Sequence, residues 1–314
     1  MTMDLVTVGR VSVDLYAQQV GASFNDPQTF RKSVGGSPTN VAVAAARYGR
    51  SAAVITGVGA DLLGDYVVHQ LAHWQVETSM INRVSGGQTP VVLAALDPPE
   101  DPKIEFYRGE NAPDTQISRS PQLDSVVADA RCFWVSAGAL AHGTTARSTF
   151  EWLDMRNRGD HTFLDLDYRA SMWPNIETAR EAATRAIAGC TVVLGNRAEC
   201  EMALELSEPD AAADSLLSCG VSLAIIKMGG GGVLLATAVE RVRIDPLQIE
   251  VVCGLGAGDA FGGALVHGLL SGWGVSEIGQ FANAAGAFVA GVLTCADDMP
   301  TIEQVRQMQH AAQV

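Results

Sequence analysis

A glycine-rich turn between residues 253 and 263 carries the strongest chemical signal in the sequence. It reads Cys253-Gly-Leu-Gly-Ala-Gly-Asp-Ala-Phe-Gly-Gly263, follows the apolar run 249–252 and opens a segment of small residues. Glycines allow several backbone N–H groups to point into one concavity, and the start of a helix adds partial positive charge. The turn therefore predicts an anion-binding site for a phosphate, or for charge that develops on a transferring phosphoryl group.

Asp259 lies inside this turn, where a carboxylate would repel a bound phosphate unless it had a separate task. Removing a proton from an attacking hydroxyl is such a task, and phosphoryl-transfer enzymes position bases in this way. The alternative is that Asp259 only occupies the first turn of a helix, where the helix dipole favours a carboxylate. The pattern of residues alone leaves both interpretations open.

Other nucleotide-binding motifs fit the sequence less well. The P-loop pattern G-x-x-x-x-G-K-[ST] does not occur. The spacing of Gly254, Gly256 and Gly258 differs from the G-x-G-x-x-G spacing that binds dinucleotides. An NAD-dependent oxidoreductase is therefore a weaker interpretation than a phosphoryl-transfer enzyme.

Two motifs together resemble the signatures of the ribokinase-like (PfkB) family. The turn at 253–259 resembles its C-terminal signature Asp-Thr-x-Gly-Ala-Gly-Asp, and Cys253 and Gly254 stand where that signature has Asp-Thr. Residues 35–49, a Gly-Gly pair followed by Asn40 and a run of small residues, resemble its N-terminal signature. The motifs follow the family's order, and the resemblance covers essentially the whole chain.

The resemblance implies a fold and a chemistry. The fold would be a Rossmann-like α/β core with a small β lid, and the reaction would transfer a phosphoryl group from ATP, with Mg²⁺, to a sugar hydroxyl. The backbone of Gly256, Ala257 and Gly258 would form the anion hole, and Asp259 would be the catalytic base.

The resemblance also implies binding residues elsewhere in the chain. The implied sugar contacts are Asp14, Gly35, Gly36 and Asn40; the implied nucleotide contacts are Asn196, Lys227, Gly229, Gly232 and Asn283; and Glu199 is implied to order Mg²⁺ indirectly. Several have a local alternative, although a helix start does not account for Gly35, Gly36 or Asn40. Asp14 could be a turn residue, Ser37 and Pro38 fit a helix start, Asn196 and Glu199 fit a capping box, and 227–232 could be a plain turn.

Cys253 is the departure from the family signature that bears on cofactors. In many members the aspartate at this place is associated with a monovalent-cation site. A thiol is a poor ligand for a hard alkali ion, by the ligand matching that holds for divalent metals. The substitution therefore puts a potassium requirement in doubt.

Two short segments bear on the substrate. Asp167-Tyr168-Arg169, followed by Trp173, and Phe106-Tyr107-Arg108 look like the subgroup that phosphorylates 5-dehydro-2-deoxy-D-gluconate in myo-inositol breakdown. The carboxylate of an acid sugar needs a countercharge, and arginine suits a bidentate grip. We therefore expect Arg108 and Arg169 to be candidate carboxylate ligands, the alternative being ordinary surface ion pairs.

Other substrates and another class of function stay open at this point. Kinases of 2-keto-3-deoxygluconate, fructose or ribose share every motif except the Asp-Tyr-Arg and Trp detail. A non-catalytic sugar or nucleotide sensor could have the same fold, although the presence of Asp259 disfavours it.

The motifs need a scaffold, and strand-like and helix-like segments alternate along the chain. The predicted strands are 5–8, 52–56, 132–135, 162–165, 191–194 and 223–227, and the predicted helices are 38–48, 64–75, 144–157, 177–188, 197–206, 257–271 and 276–293. Several strands are apolar throughout, which predicts a mostly parallel sheet with helices on both faces. Segments 11–34 and 89–113 lack helical periodicity and predict a small β lid inserted into a single domain spanning 1–314.

Composition limits the partners. The 314 residues carry a formal net charge of −14, so phosphate backbones are repelled and nucleic acid is not expected. No basic run indicates a membrane surface, no signal peptide is recognised, and no apolar stretch reaches the roughly 18 residues of a membrane span. The six cysteines form no C-x-x-C pair, which predicts reduced thiols and a cytoplasmic protein. A homodimer would cover the edge strands of the lid.

Overall fold

A computed structural model describes residues 2–311 of the chain. Its strands are β1 (Leu5–Val8), β2 (Ser12–Ala17), β3 (Phe30–Gly35), β4 (Ala52–Gly59), β5 (Val76–Glu77), β6 (Ile81–Val84), β7 (Val91–Ala95), β8 (Lys103–Tyr107), β9 (Cys132–Ser136), β10 (Thr162–Asp165), β11 (Val192–Asn196), β12 (Leu223–Lys227), β13 (Val233–Ala236) and β14 (Arg241–Ile244). Its α-helices are α1 (Ser37–Arg47), α2 (Leu62–His73), α3 (Pro121–Asp129), α4 (Gly143–Arg156), α5 (Ile176–Ala188), α6 (Arg197–Leu204), α7 (Pro209–Ser218), α8 (Ala257–Leu270), α9 (Val275–Ala290) and α10 (Ile302–Ala311).

The main sheet is parallel except at one edge. Its order is β14-β13-β12-β11-β10-β9-β1-β4-β5, and β6 also pairs with β4. The pairs β12–β13 and β13–β14 are antiparallel, and the remaining neighbours are parallel. Parallel strands need helices on both faces of the sheet, because each βαβ crossover carries its helix over one of them. The predicted α/β fold is confirmed.

Two apolar clusters fill the space between the sheet and its helices. Successive side chains of a strand point to opposite faces. Leu5 and Trp134 therefore pack with α1, α8 and α9, whereas their neighbours Val6 and Phe133 pack with α3 to α7. All four side chains are fully buried. The apolar strands of the sequence are thus covered on both sides.

The lid is a separate sheet of order β3-β2-β7-β8. β2 pairs antiparallel with β3 and parallel with β7, and β7 and β8 form an antiparallel hairpin. Its strands come from the two segments, 11–34 and 89–113, that broke the strand–helix alternation. The predicted lid is confirmed.

Most predicted elements occur within a few residues of their expected bounds. The patterns missed α3, α7 and α10 and the short or edge strands β5, β6, β13 and β14. The N-cap of α1 is Gly36, with φ of 106°, and not Ser37, which is the first helical residue. Within residues 2–311, no helix is both long and apolar enough to cross a membrane.

Candidate active site

A cavity of about 770 Å³ lies between the two sheets. Arg10, Asp165, Asn196 and Lys227 line it, and each lies at or just beyond the carboxyl end of β1, β10, β11 or β12. The lid sheet faces them from the opposite side. Ligand sites of open parallel sheets form at the carboxyl ends of the strands, so this cavity is the expected place for the predicted residues to meet.

The carboxylate of Asp259 lies in this cavity, in the first turn of α8. Asn40 Nδ2 donates a hydrogen bond of 2.7 Å to Asp259 Oδ2. Burial raises the pKa of Asp259 to about 6; the charge of Asp167 adds to the rise, and the hydrogen bond from Asn40 opposes it. Such a carboxylate is ionised at neutral pH and accepts a proton more readily than an exposed aspartate.

The start of α8 faces the same cavity with free backbone donors. Its N-cap, Gly256, has φ of 80° and no side chain to cap the helix, so the first N–H groups find no partner within the helix. A Cβ atom at Gly256 would lie 2.3 Å from Cys295 Sγ, so only glycine fits here. Gly256, Ala257 and Gly258 all line the cavity. The turn therefore has the donors and the positive dipole end that an anion needs.

Charged pairs surround Asp259. Lys227 Nζ lies 3.6 Å from Asp165 Oδ1, and Arg169 Nη2 lies 3.1 Å from Asp167 Oδ1. Burial raises the pKa of Asp165, the positive charge of Lys227 lowers it, and nearby carboxylates raise it further. Asp165 Oδ1 and Asp167 Oδ2 are buried without a hydrogen-bond partner, so both can still accept from a ligand.

Asp14 is held rigidly on the lid side of the cavity. Ser12 Oγ donates 2.6 Å to Asp14 Oδ1, and Tyr16 Oη lies 3.2 Å from Asp14 Oδ2. A Cβ atom at Gly35 would lie 2.0 Å from this carboxylate, so Gly35 makes room for Asp14 instead of lining the cavity itself. Gly36 does line the cavity.

Asp14, Val92 and Phe106 form one row across β2, β7 and β8. They are paired in register, Asp14 with Val92 and Val92 with Phe106, and all three line the cavity. One face of the lid sheet is therefore the roof over Asp259. Asn40 Oδ1 is also buried there without a partner, although its amide nitrogen is engaged by Asp259.

The structure does not bring Arg108 to the cavity. Arg108 Nη2 forms a salt bridge of 2.9 Å with Asp114 Oδ1, and both side chains are largely buried outside the cavity lining. The structure therefore gives no support to the hypothesis that Arg108 contacts a substrate carboxylate. Arg169 does line the cavity, but its guanidinium is already paired with Asp167. Trp173 belongs to an apolar cluster and does not line the cavity.

The residues implied to bind a nucleotide line the other end of the cavity. They are Asn196, Lys227, Gly229, Gly232 and Asn283. Gly232 has φ of 81°, and a Cβ atom there would lie 2.0 Å from the carbonyl oxygen of Ile244. Space is open around Gly229, and Asn283 Nδ2 donates 3.0 Å to the carbonyl of Asp245.

Asn196 and Glu199 form the capping box of α6. Asn196 Oδ1 accepts from the N–H of Glu199 at 2.9 Å, and Glu199 Oε2 accepts from the N–H of Asn196 at 2.7 Å. Both residues also line the cavity, so the local interpretation does not exclude a ligand contact. Across residues 2–311, no three His, Cys, Asp or Glu side chains are grouped so as to hold a metal ion by themselves.

Sequence reasoning missed several residues of this cavity. Arg10 and Tyr16 line it, as do Glu100 and Asp101 from the loop that joins β7 to β8. That loop contacts the glycine-rich turn directly, since Gly254 N donates 2.8 Å to the carbonyl of Pro99. Arg10 lies between β1 of the main sheet and β2 of the lid. The neighbouring Gly9 is the sequence feature that could have indicated a turn between the two sheets here.

Comparisons with known proteins agree with this geometry. Residues 2–302 match the model of the pfkB family of carbohydrate kinases. The chain is 29% identical to a 5-dehydro-2-deoxygluconokinase of Geobacillus thermodenitrificans, over 98% of this chain and 94% of that protein. It is 27% identical to a Clostridium beijerinckii protein of the same name, over 97% and 92% of the two chains.

Solved structures share the fold at lower identity. An E. coli protein assigned as a ribokinase II, in complex with ATP and Mg²⁺, superposes with a TM-score of 0.88 at 22% identity, over 99% of this chain and 100% of that one. Fructokinase of Xylella fastidiosa with bound ATP superposes with a TM-score of 0.85 at 22% identity, with the same coverage. The chain belongs to the PfkB family of carbohydrate kinases, and it is a sugar kinase.

Proposed function

We propose that this sugar kinase transfers the γ-phosphoryl group of ATP to the C6 hydroxyl of 5-dehydro-2-deoxy-D-gluconate, an acid sugar of myo-inositol catabolism. The observation that carries the proposal is the placement of the Asp259 carboxylate, with its raised pKa, beside the uncapped start of α8 and under the lid. The names of the relatives support the choice of sugar.

The nucleotide end of the cavity fits ATP. Gly229 and Gly230 leave open space where a phosphate chain can approach backbone, and Lys227 supplies a positive charge near Gly258. Leu247 and Val251 give that end an apolar wall that can receive a base. We propose that Asn196, Lys227, Gly229, Gly232 and Asn283 bind the nucleotide.

The residues present also fit Mg²⁺ held mainly through phosphates and water. Mg²⁺ in kinases is usually bound by one or two carboxylates together with substrate oxygens, so a dedicated protein cage is not needed. Glu199 and Asp165, whose Oδ1 is buried without a hydrogen-bond partner, lie at this end of the cavity. We propose that Glu199 holds the ion through water, where it would neutralise charge on the phosphates.

The described residues suffice for the proton transfer. Asn40 holds Asp259 Oδ2, so the carboxylate is fixed while it removes the proton from the C6 hydroxyl. The hydroxyl oxygen forms a bond to the γ-phosphorus as the bond to the β–γ bridging oxygen breaks, and ADP leaves. The backbone N–H groups of Ala257 and Gly258 face the charge that spreads over the phosphoryl oxygens. We propose that Asp14, Gly36 and Asn40, which all line the cavity, contact sugar hydroxyls.

Cys253 supports independence from potassium. The residue is buried, and its N–H donates 3.2 Å to the carbonyl of Ala290. We propose that the rate is the same in potassium and in tetramethylammonium salts at equal ionic strength. A large activation by potassium would contradict this.

A homodimer and a cytoplasmic location complete the proposal. Phe24 and Phe30, at and beside the edge strand β3, are exposed and in edge-to-face contact, with ring centroids 6.4 Å apart. Sedimentation of the wild type and of Phe24→Ser tests whether this surface joins two copies. All six cysteines are free thiols, as expected of a reducing compartment; cell fractionation tests the location.

An ADP-release assay with Mg·ATP and a panel of sugars tests the substrate. The panel holds 5-dehydro-2-deoxygluconate, 2-keto-3-deoxygluconate, fructose and ribose. We expect kcat/KM for the first sugar to exceed the others by at least about a hundredfold, which corresponds to about 2.7 kcal/mol. Preference for another sugar would overturn the proposed substrate, and binding of ATP without turnover of any sugar would favour a sensor.

A further inference from the structure

Arg10 lies in the cavity directly after β1 and is held there by its backbone and by its side chain. Its carbonyl oxygen accepts from Thr39 Oγ1 at 3.4 Å, and it contacts Gly36 so closely that a Cβ atom there would lie 2.4 Å away. Its guanidinium carbon lies 5.3 Å from the ring centroid of Phe106 in the lid. The side chain therefore extends from the end of β1 to Phe106 in the lid.

The guanidinium of Arg10 has no ionic partner among residues 2–311. Arg10 Nε is buried and makes no hydrogen bond. Leaving a buried donor of a charged group without a hydrogen bond costs free energy, so binding of a ligand that supplies an acceptor would be favoured.

The two other arginines of this region are already engaged. Arg108 forms a salt bridge of 2.9 Å with Asp114, a carboxylate whose pKa the nearby charge of Arg10 also lowers. Arg169 is paired with Asp167 at 3.1 Å. Lys227 also lines the cavity and is paired with Asp165. Among residues 2–311, Arg10 is therefore the cavity-lining cation without an ionic partner, and it lies beside the lid row of Asp14, Val92 and Phe106.

We propose that Arg10 binds the carboxylate of the sugar acid and that the Arg108–Asp114 pair keeps it free for this task. The inference rests on the proposed function, which supplies a substrate with a carboxylate. Arg10 would offer two parallel N–H donors to the two carboxylate oxygens, and Phe106 would fix the guanidinium plane. Arg10 is then a specificity-determining residue, because a neutral sugar leaves the N–H donors of its guanidinium without a carboxylate acceptor.

A competing role is electrostatic. Arg10 lies near enough to Asp14, Asp114 and Asp259 for its positive charge to lower the pKa of each. If it only balances these carboxylates, its loss should slow the reaction of charged and uncharged sugars alike. If it binds the substrate carboxylate, its loss should reduce kcat/KM for the charged sugar by much more than for the uncharged one. The comparison of two sugars separates the roles.

A cycle of protein and substrate changes makes that comparison. The variants are Arg10→Gln, Arg10→Lys and, as a control on the exposed side of α4, Arg147→Gln. The substrates are 5-dehydro-2-deoxygluconate and its uncharged carboxamide, and kcat and KM are measured for each pair. Thermal unfolding of each variant confirms that it is folded, and Arg10→Lys keeps the charge without the planar fork.

We expect the wild type and Arg147→Gln to prefer the acid over the amide in kcat/KM by about 10- to 100-fold. Arg10→Gln should lose this preference through a higher KM for the acid, with a clearly smaller loss in kcat/KM for the amide, and Arg10→Lys should recover part of it. A preference that persists in folded Arg10→Gln overturns the inference while leaving the proposed function intact. An equal loss for both substrates also overturns it, in favour of the electrostatic role. A wild type that phosphorylates neither compound overturns the proposed substrate instead.

Discussion

At the scale of single residues, Asp259 is defined by what surrounds it. Asn40, from the helix that begins beside the lid, donates to the carboxylate, and Asp167, from the end of another strand, repels its charge. These contacts join parts of the chain that are far apart in sequence. The hydrogen bond from Asn40 therefore fixes the carboxylate, and the repulsion by Asp167 raises its pKa and so makes it a stronger base.

Asp259→Asn should lower kcat by about 10³-fold, because a positioned base contributes about 10²- to 10⁴-fold. The asparagine is nearly isosteric, so binding of Mg·ADP measured by calorimetry should change little. Asp160→Asn is the matched control, since Asp160 is exposed and outside the cavity. Activity of Asp259→Asn within about tenfold of the wild type would refute the role of base.

The pH dependence of kcat/KM follows from the raised pKa of Asp259. If Asp259 is the base it must be ionised, so activity should fall as the pH drops through about 6 and be constant above it. The stability has the opposite sign: the folded state holds a proton between pH 3.8, the unperturbed pKa, and about 6, so ionising Asp259 costs stability as the pH rises through that window. Asp259→Asn should therefore gain stability relative to the wild type above pH 6 and not below pH 4. If Asp165→Asn removed the acid limb of the wild-type profile, the base assignment would be wrong.

The sequence alone indicates Asp259 as a candidate base but does not indicate Arg10 as a cavity residue, and the reason is physical. A glycine-rich turn that opens a helix fixes its own geometry, so the site is readable from adjacent residues. Which arginine is free depends on where Asp114 lies, and this is decided by the packing of a turn between lid and core. Arg108 and Arg10 cannot be told apart in sequence, because pairing of a charge is a tertiary property.

At the scale of secondary structure, the start of α6 serves two purposes that one substitution separates. Glutamine can replace glutamate in a capping box, because its side-chain oxygen accepts the same hydrogen bond. Glu199→Gln should therefore keep the melting temperature while raising the Mg²⁺ concentration for half-maximal activity by about 10- to 100-fold. Glu199→Ala should lose about 1 kcal/mol of stability as well. An unchanged Mg²⁺ response in Glu199→Gln would leave Glu199 a cap only.

The loop between β7 and β8 docks on the glycine-rich turn at Gly254. The N–H of Gly254 donates 2.8 Å to Pro99 O, and a Cβ atom at Gly254 would lie 2.3 Å from Glu100 O. Gly254→Thr should therefore push the lid loop away and lower kcat/KM for the sugar by about 10- to 100-fold. ATP hydrolysis without sugar should rise, because a closed lid excludes water. Gly274→Thr, at a site with open space, is the control; equal kinetics of the two variants would exclude docking as a requirement.

Elements with strong periodicity were predictable, and short edge elements were not. α8 and α9 are long, contain many small residues and pack on each other, so their apolar faces show in the sequence. β14 alternates exposed and half-buried residues, and β5 has two residues. Such short strands form because a neighbouring strand has an unpaired edge, so their own residues carry little signal from which a strand could be predicted.

At the scale of the whole molecule, the cavity belongs to neither sheet alone. Asp14 and Phe106 come from the lid, whereas Asp259 and Lys227 come from the main body. If the proposed function holds, a sugar bound between them would contact both layers, and the nucleotide would contact the turn on which the lid loop docks. Each ligand should therefore favour the same arrangement of lid and core, and the two should bind cooperatively.

Thermal unfolding measures this coupling. A ligand at about 100 times its Kd stabilises by about 2.7 kcal/mol, and independent ligands would add. We expect Mg·ADP with 5-dehydro-2-deoxygluconate, a pair that cannot react, to raise the melting temperature by more than the sum of their separate shifts. NAD at the same concentration should give no shift, because the glycine spacing does not suit a dinucleotide. In Gly254→Thr each ligand alone should still raise the melting temperature, but the increase beyond the sum of the two shifts should disappear. The reason is that the lid loop no longer contacts the glycine-rich turn. If the two shifts in melting temperature are strictly additive in the wild type, lid and core respond to their ligands independently. The two ligands would then share one cavity without binding cooperatively.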